Sequence, residues 1–272
     1  MFGLAFLASL FFADLFASQE YMRLRPSVPA GPAVRPEVFH VSEHGFLPPS
    51  TQSLSRVSII IDDLGETSEL RGAVLKVRLP LTLAILPGCQ YSRDSALWAH
   101  NHGYEVMVHL PMEPEKYPVE NPGPDALFSA MRLNDLINTT ERAIDDIPYA
   151  SGVNNHMGSR FTKQRAKLAP VLDIIASRGL YFIDSRTSAR SIGYELAKEK
   201  GIRSGERTLF LDDPQDKETI EMRLAELIAL ARRDGQAVAI GHFRSATLAA
   251  LQSLDASSYP DIRFTYASEI TQ

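Results

Sequence analysis

Cysteine is almost missing from these 272 residues: Cys89 stands alone. That excludes an intramolecular disulfide and any cysteine-rich metal knuckle, and leaves Cys89 to be read as a small buried apolar residue. A basic excess is missing too, with 28 Lys and Arg against 33 Asp and Glu, a formal net charge of −5. No basic run or basic-aromatic stripe offers a surface for phosphate, so no nucleic-acid partner is expected. Glycine-rich phosphate loops, a nucleophile elbow and a dinucleotide-binding fingerprint are absent, as is any internal repeat. What is present is ordinary for a soluble globular chain: 44% hydrophobic and 22% charged residues, with length for one large core or two small ones.

The first 18 residues, MFGLAFLASLFFADLFAS, are apolar except for Asp14 and the serines. No positive charge precedes Arg23, unlike a typical secretory signal, and Asp14 would be costly near a bilayer centre. The Phe- and Leu-rich run still predicts a membrane anchor or export signal over 1–18; the alternative is an apolar helix packed on the domain. Residues 19–53 are rich in Pro, Ser and Gly without sustained period, which predicts an extended linker. The folded domain is then 54–272.

From Ser55 onward, apolar β-branched runs alternate with helical-period segments. The strand candidates are RVSIIIDD, LTLAILPG, YEVMVHLP, ASGVNNH, LYFIDS, RTLFLDD, AVAIGH and IRFTYAS. Between them the spacing predicts helices, among them 66–77, a segment opening on a capping Ser92, 133–146 and the long amphipathic run from Lys217. Eight strands joined by mostly helical segments predict a parallel α/β sheet, either doubly wound or closed into a (β/α) barrel. The near-continuous Val, Ile and Leu runs suit strands covered on both faces and a barrel interior.

Ionisable residues recur at one place in this pattern. Asp62 and Asp63 end the first strand, His109 the third, His156 the fourth, Asp184 the fifth, Asp212 and Asp213 the sixth, and His242 the seventh. In a parallel α/β sheet these ends lie on one face, where such folds place their sites. A strand-end Asp can simply cap the next helix, and a lone His is usually a satisfied core or rim residue. Three of seven histidines at three strand ends, with carboxylates at others, exceed what capping explains. His40, His44, His100 and His102 carry no expected role. A carboxylate with two imidazoles is a common ligand set for a divalent metal with open positions. A spare carboxylate can act as general base on water, and a further His can serve the leaving group or a developing oxyanion. The pattern points to hydrolysis of an acyl bond.

The ordered segments IIIDDLG, EVMVHLPMEP, GVNNHMGSRFT, YFIDSRTS, FLDD and AIGH resemble the divergent polysaccharide deacetylase family, over about residues 55–270. The resemblance implies a distorted (β/α) barrel of about seven parallel strands, with a zinc-type divalent metal at the strand ends. It implies Asp62 as base, Asp63 and His109 as metal ligands, and His242 as the group serving the leaving group or oxyanion. Better-known relatives carry a second His four residues after the first; here that position is Glu113, and His156 is the candidate for the missing imidazole. Glu113, Arg160 and Asp184 are expected to stand behind the ligands and orient them. The implied function is metal-dependent removal of acyl groups, through a C–N or ester bond, from an envelope carbohydrate in the periplasm; the apolar run over 1–18, where it acts as an anchor, would attach the chain to the inner membrane. The alternative is a catalytically silent glycan-binding or scaffold module on the same fold.

Overall fold

The computed structural model describes residues 54–272. The expected anchor over 1–18 and the linker over 19–53 lie outside the described residues.

Alternation within the first strand sets the plan. In β1 (Ser55–Leu64), Ile59 and Ile61 belong to a large cluster shared with the helices, whereas Ile60 belongs to a smaller, separate one. Successive side chains on a strand point to opposite faces, so the strand separates two cores. The smaller core gathers Ile60, Ala84, Met107, Tyr181, Ile183, Val238 and Ile240 from five strands. This is the interior of a curled sheet, and the larger cluster is the layer between sheet and helices.

The other strands are β2 (Leu81–Ile85), β3 (Glu105–Met112), β4 (Ala150–Met157), β5 (Tyr181–Asp184), β6 (Ser204–Glu206), β7 (Leu209–Phe210), β8 (Gln236–His242) and β9 (Ile262–Thr265). Every pairing is parallel, in the order β6-β5-β4-β3-β2-β1-β8-β7. The edges β6 and β7 follow each other in the chain without pairing, so the barrel stays open there. β9 pairs with Ser55–Ser58 of β1, just before β2 takes over that edge at Ile59. The architecture is a distorted deacetylase-like (β/α) barrel.

Among the described residues seven α-helices cover the outside: α1 (Arg71–Val74), α2 (Ser92–Asn101), α3 (Leu133–Asp146), α4 (Arg165–Ser177), α5 (Gly193–Glu199), α6 (Lys217–Asp234) and α7 (Ser245–Ser253). Local chemistry explains α6 well. Asp216 accepts from Thr219 N at its start, and Gly235 ends it at φ 82°. The helix expected over 66–77 shortens to α1. Ser92 does not cap α2: it lies inside the helix, donates to Leu86 O and accepts from Cys89 N. The polar three-residue β6 carries no hydrophobic run and was not among the eight expected strands.

The N-terminal end of the barrel is sealed. Ala267 and Ile270 join the interior cluster, and Gln272 exchanges backbone hydrogen bonds with Ser204 of β6. Tyr181 fills the space above them and requires Gly152 beside it, since a Cβ there would lie 2.4 Å from the ring. The opposite end, where the strands finish, is left for chemistry.

Candidate metal centre

The site residues continue the interior series. Two residues beyond Ile60 is Asp62, and two beyond Met107 is His109. Gly152 is followed at the same spacing by Asn154 and His156, and Ile240 by His242. Register confirms the shared face: Asp62 lies opposite His242, and His109 opposite Asn154. The period-two rule of strands therefore carries the apolar interior straight into the polar site.

Asp63 should point outward by the same rule, and it does not. Its φ is 64°, and the β1–β2 register shifts between Ile61 and Leu64. This irregularity, in a conformation unfavourable for most residues, turns a second consecutive carboxylate toward the interior.

Three atoms then converge. Asp63 Oδ1 lies 3.1 Å from His156 Nδ1 and 3.3 Å from His109 Nε2, and the two ring nitrogens are 3.1 Å apart. That buried oxygen has no well-formed hydrogen-bond partner among the described residues. A tetrahedral ion with ligands about 2.05 Å away would space them by about 3.3 Å. Charge points the same way. Burial opposes a charge on His109, yet Asp62 and Asp63 raise its pKa above the usual value. Burial likewise opposes ionisation of Asp63, but His109 and His156 hold its carboxyl far below the usual range. The carboxylates demand positive charge at the centre of the triangle, and a divalent cation meets that demand. Asp63, His109 and His156 can hold a metal ion.

Asp62 stands beside the triangle. Its Oδ2 is 3.4 Å from His109 Nε2, and its Oδ1 accepts from Asn154 Nδ2 at 2.9 Å. Burial pushes its carboxyl up, against the pull of His109 and His242. Across the strand pair, His242 Nδ1 meets Asp212 Oδ1 at 2.8 Å. Asp212 also accepts from His242 N and from Thr247 Oγ1, each at 2.7 Å. An ionised carboxylate only accepts, so Nδ1 carries a proton and Nε2 is left free of Asp212. A cleft of about 120 Å³ opens beside the triangle, with Asp63 and His156 among its walls together with Leu86, Pro111 and Pro122.

The remaining expected residues are placed elsewhere. Asp184 is not brought to the site. Ile183 lies opposite Asn154 and faces the interior, so Asp184 faces outward. There it accepts from Ser191 Oγ, Tyr194 N and Arg186 N, fixing the loop that leads into α5. Glu113 accepts from Arg160 at 3.2 Å and from Ser129 N at 2.7 Å. Its backbone oxygen accepts from Arg160 N and Phe161 N. The Glu113–Arg160 pair braces the ends of β3 and β4, and neither side chain hydrogen-bonds to the triangle. Two residues escaped the sequence reading. Asn154 could have been found by stepping back two positions from His156. Asp212 was visible as a strand end but not as the partner of His242, which comes from another strand.

Comparison with known proteins agrees with this geometry. The sequence model of the divergent polysaccharide deacetylase family matches residues 59–271. The uncharacterized protein YibQ of Escherichia coli is 35% identical over 216 residues, covering 79% of this chain and 67% of YibQ. An uncharacterized protein of Haemophilus influenzae is 34% identical over 200 residues, covering 73% of this chain and 70% of its own. The crystal structure of an uncharacterized Agrobacterium tumefaciens protein superposes with a TM-score of 0.77 at 28% identity, covering 82% of this chain and 92% of that one. The chain belongs to the divergent polysaccharide deacetylase family.

Proposed function

We propose that this chain is a metal-dependent hydrolase that removes acyl groups from an envelope carbohydrate, and that its metal is zinc. The observation that carries the reading is the triangle of Asp63, His109 and His156 with a further, buried carboxylate beside it. A pure binding site has no need of that extra base. When bound, a divalent cation polarises a carbonyl oxygen and lowers the pKa of water.

The chain's own residues then divide the work. Asp62 accepts a proton from the attacking water through Oδ2, the oxygen turned toward the triangle. The water oxygen bonds to the acyl carbon, and the bond from that carbon to the sugar nitrogen or oxygen breaks. His242, held by Asp212 through Nδ1, gives a proton to the departing group from Nε2. The raised pKa of His242, where Asp212 outweighs the opposing effect of burial, suits a proton donor. The cleft lined by Leu86, Pro111 and Pro122 receives the acyl group. Periplasmic location with attachment through residues 1–18 completes the reading; fractionation of cells expressing the chain with and without 1–53 tests it.

Acetate release from chitin and peptidoglycan fragments is the test of activity. The wild-type chain should release acetate, lose the activity to a chelator and regain it with zinc. Equal glycan binding by wild type and Asp62→Asn, with no acetate from either, would make the chain a binding module instead.

A further inference from the structure

We propose that Asn154 is a positioning residue that couples the two halves of the site, fixing with one amide both the ligand tautomer of His109 and the orientation of Asp62. The inference rests on the reading of His109 as a metal ligand and Asp62 as base, and it assigns a role to a side chain that neither role requires.

Asn154 is fully buried, and both partners are only 2% exposed, so no bulk water competes for the bonds between them. Its Oδ1 lies 2.7 Å from His109 Nδ1, and its Nδ2 lies 2.9 Å from Asp62 Oδ1. An amide has one accepting end and one donating end, and the partners decide which faces which. An ionised Asp62 can only accept, so the NH2 group must face it. The carbonyl oxygen is then left for His109, and Nδ1 must carry the proton that this oxygen accepts. Nε2 consequently bears its lone pair toward Asp63 Oδ1 and His156 Nδ1. A flipped amide would set oxygen against carboxylate oxygen and NH2 against an N–H, an arrangement that buried groups do not tolerate.

The same bond engages Oδ1 of Asp62 and leaves Oδ2 as the oxygen nearest the triangle, 3.4 Å from His109 Nε2. One side chain thus sets a metal ligand's tautomer and aims the base. The neighbouring Asn155 does something different. Its side chain donates to Met157 O and accepts from Ser185 N, bracing the end of β4.

The test uses the full chain as wild type, Asn154→Leu and Asn154→Asp. Zinc affinity is measured by calorimetry, and the His109 ring by 15N spectra of the metal-free chain at a pH where the imidazole is neutral. Wild type should show the Nδ1–H tautomer. Asn154→Leu removes both bonds without adding charge; it should mix the tautomers and weaken zinc binding by about 10- to 100-fold, the usual cost of losing a partner behind a ligand. Asn154→Asp keeps an acceptor for His109 but replaces the N–H facing Asp62 with a second carboxyl oxygen, so the two carboxyls must share a proton and Asp62 is hindered as a base. Its zinc affinity should stay within about threefold of wild type, since ligand-orienting carboxylates are common, while acetate release falls. If Asn154→Asp fails to fold, Asn154→Leu decides the matter.

Zinc affinity of Asn154→Leu equal to wild type would overturn the proposal. Equal losses in both folded variants would also overturn it, by making Asn154 a packing residue only. An Nε2–H tautomer in wild type contradicts it whether or not zinc binds. A wild type with the Nδ1–H tautomer and no zinc uptake would overturn the functional reading while leaving the amide's orienting role in place.

Discussion

A carboxylate lies at each end of this barrel, and the two are treated in opposite ways. At the N-terminal end, Glu105 Oε1 accepts from Thr82 Oγ1 at 2.9 Å, Tyr181 Oη at 2.8 Å and Ser268 N at 3.2 Å. At the C-terminal end, Asp63 Oδ1 is buried without a hydrogen-bond partner among the described residues, on a residue held at φ 64°. Partnered buried groups support a fold, whereas strain and unpaired polar atoms persist where function uses them. The two carboxylates thus differ: Glu105 is supplied with donors, and Asp63 keeps an oxygen without one.

The contrast can be broken from either side. The largest effect is expected from Asp63→Asn. Asn tolerates positive φ, so thermal unfolding should change little, but zinc affinity should fall by more than the roughly 100-fold that losing a partner behind a ligand costs. A large drop in Tm would show that Asp63 serves the fold. Next comes Asp62→Asn, which keeps shape but cannot take a proton. Turnover should fall by about 100-fold or more, with zinc retained in a calorimetric titration; loss of zinc would make Asp62 a ligand. At the sealed end, Glu105→Leu strips three donors of their acceptor. Denaturant unfolding should show a loss of at least about 3 kcal/mol, with zinc affinity unchanged.

The smallest effect concerns pH. Burial works against ionised Asp212, but hydrogen bonds from His242 and Thr247 lower its pKa, and Asp212 raises that of His242 against the effect of burial. A lowered carboxyl stabilises the fold above its unfolded pKa of about 3.9, and that stability is lost as pH falls through the folded value. A raised imidazole stabilises the fold below about 6.5, and that stability is lost as pH rises through the folded value. The stability difference between wild type and Asp212→Asn should therefore peak between about pH 4 and 6.5. A difference independent of pH would contradict the pair.

Much of the site was legible because strands alternate. Once the third and fourth strands were recognised, His109 and His156 fell at their ends, and the hydrophobic runs behind them announced a covered parallel sheet. What the pattern could not supply was parity. Asp184 ends its strand as convincingly as His109 does, but Ile183 takes the interior position and sends Asp184 outward. Asp63 shows the reverse: parity alone sends it out, and a backbone irregularity brings it in. Asp212 became meaningful only when β7 and β8 lay side by side, which is a tertiary fact. Short elements were least legible, since β6 has only Ser, Gly and Glu to show.

The central claim is that β4 supplies the second imidazole while Glu113 braces the strand ends. Zinc titration of wild type, His156→Ala and Glu113→Gln tests it most directly. Wild type should show a single tight site, His156→Ala a loss of more than about 100-fold, and Glu113→Gln near wild-type affinity. Zinc held by His156→Ala and lost by Glu113→Gln would contradict it.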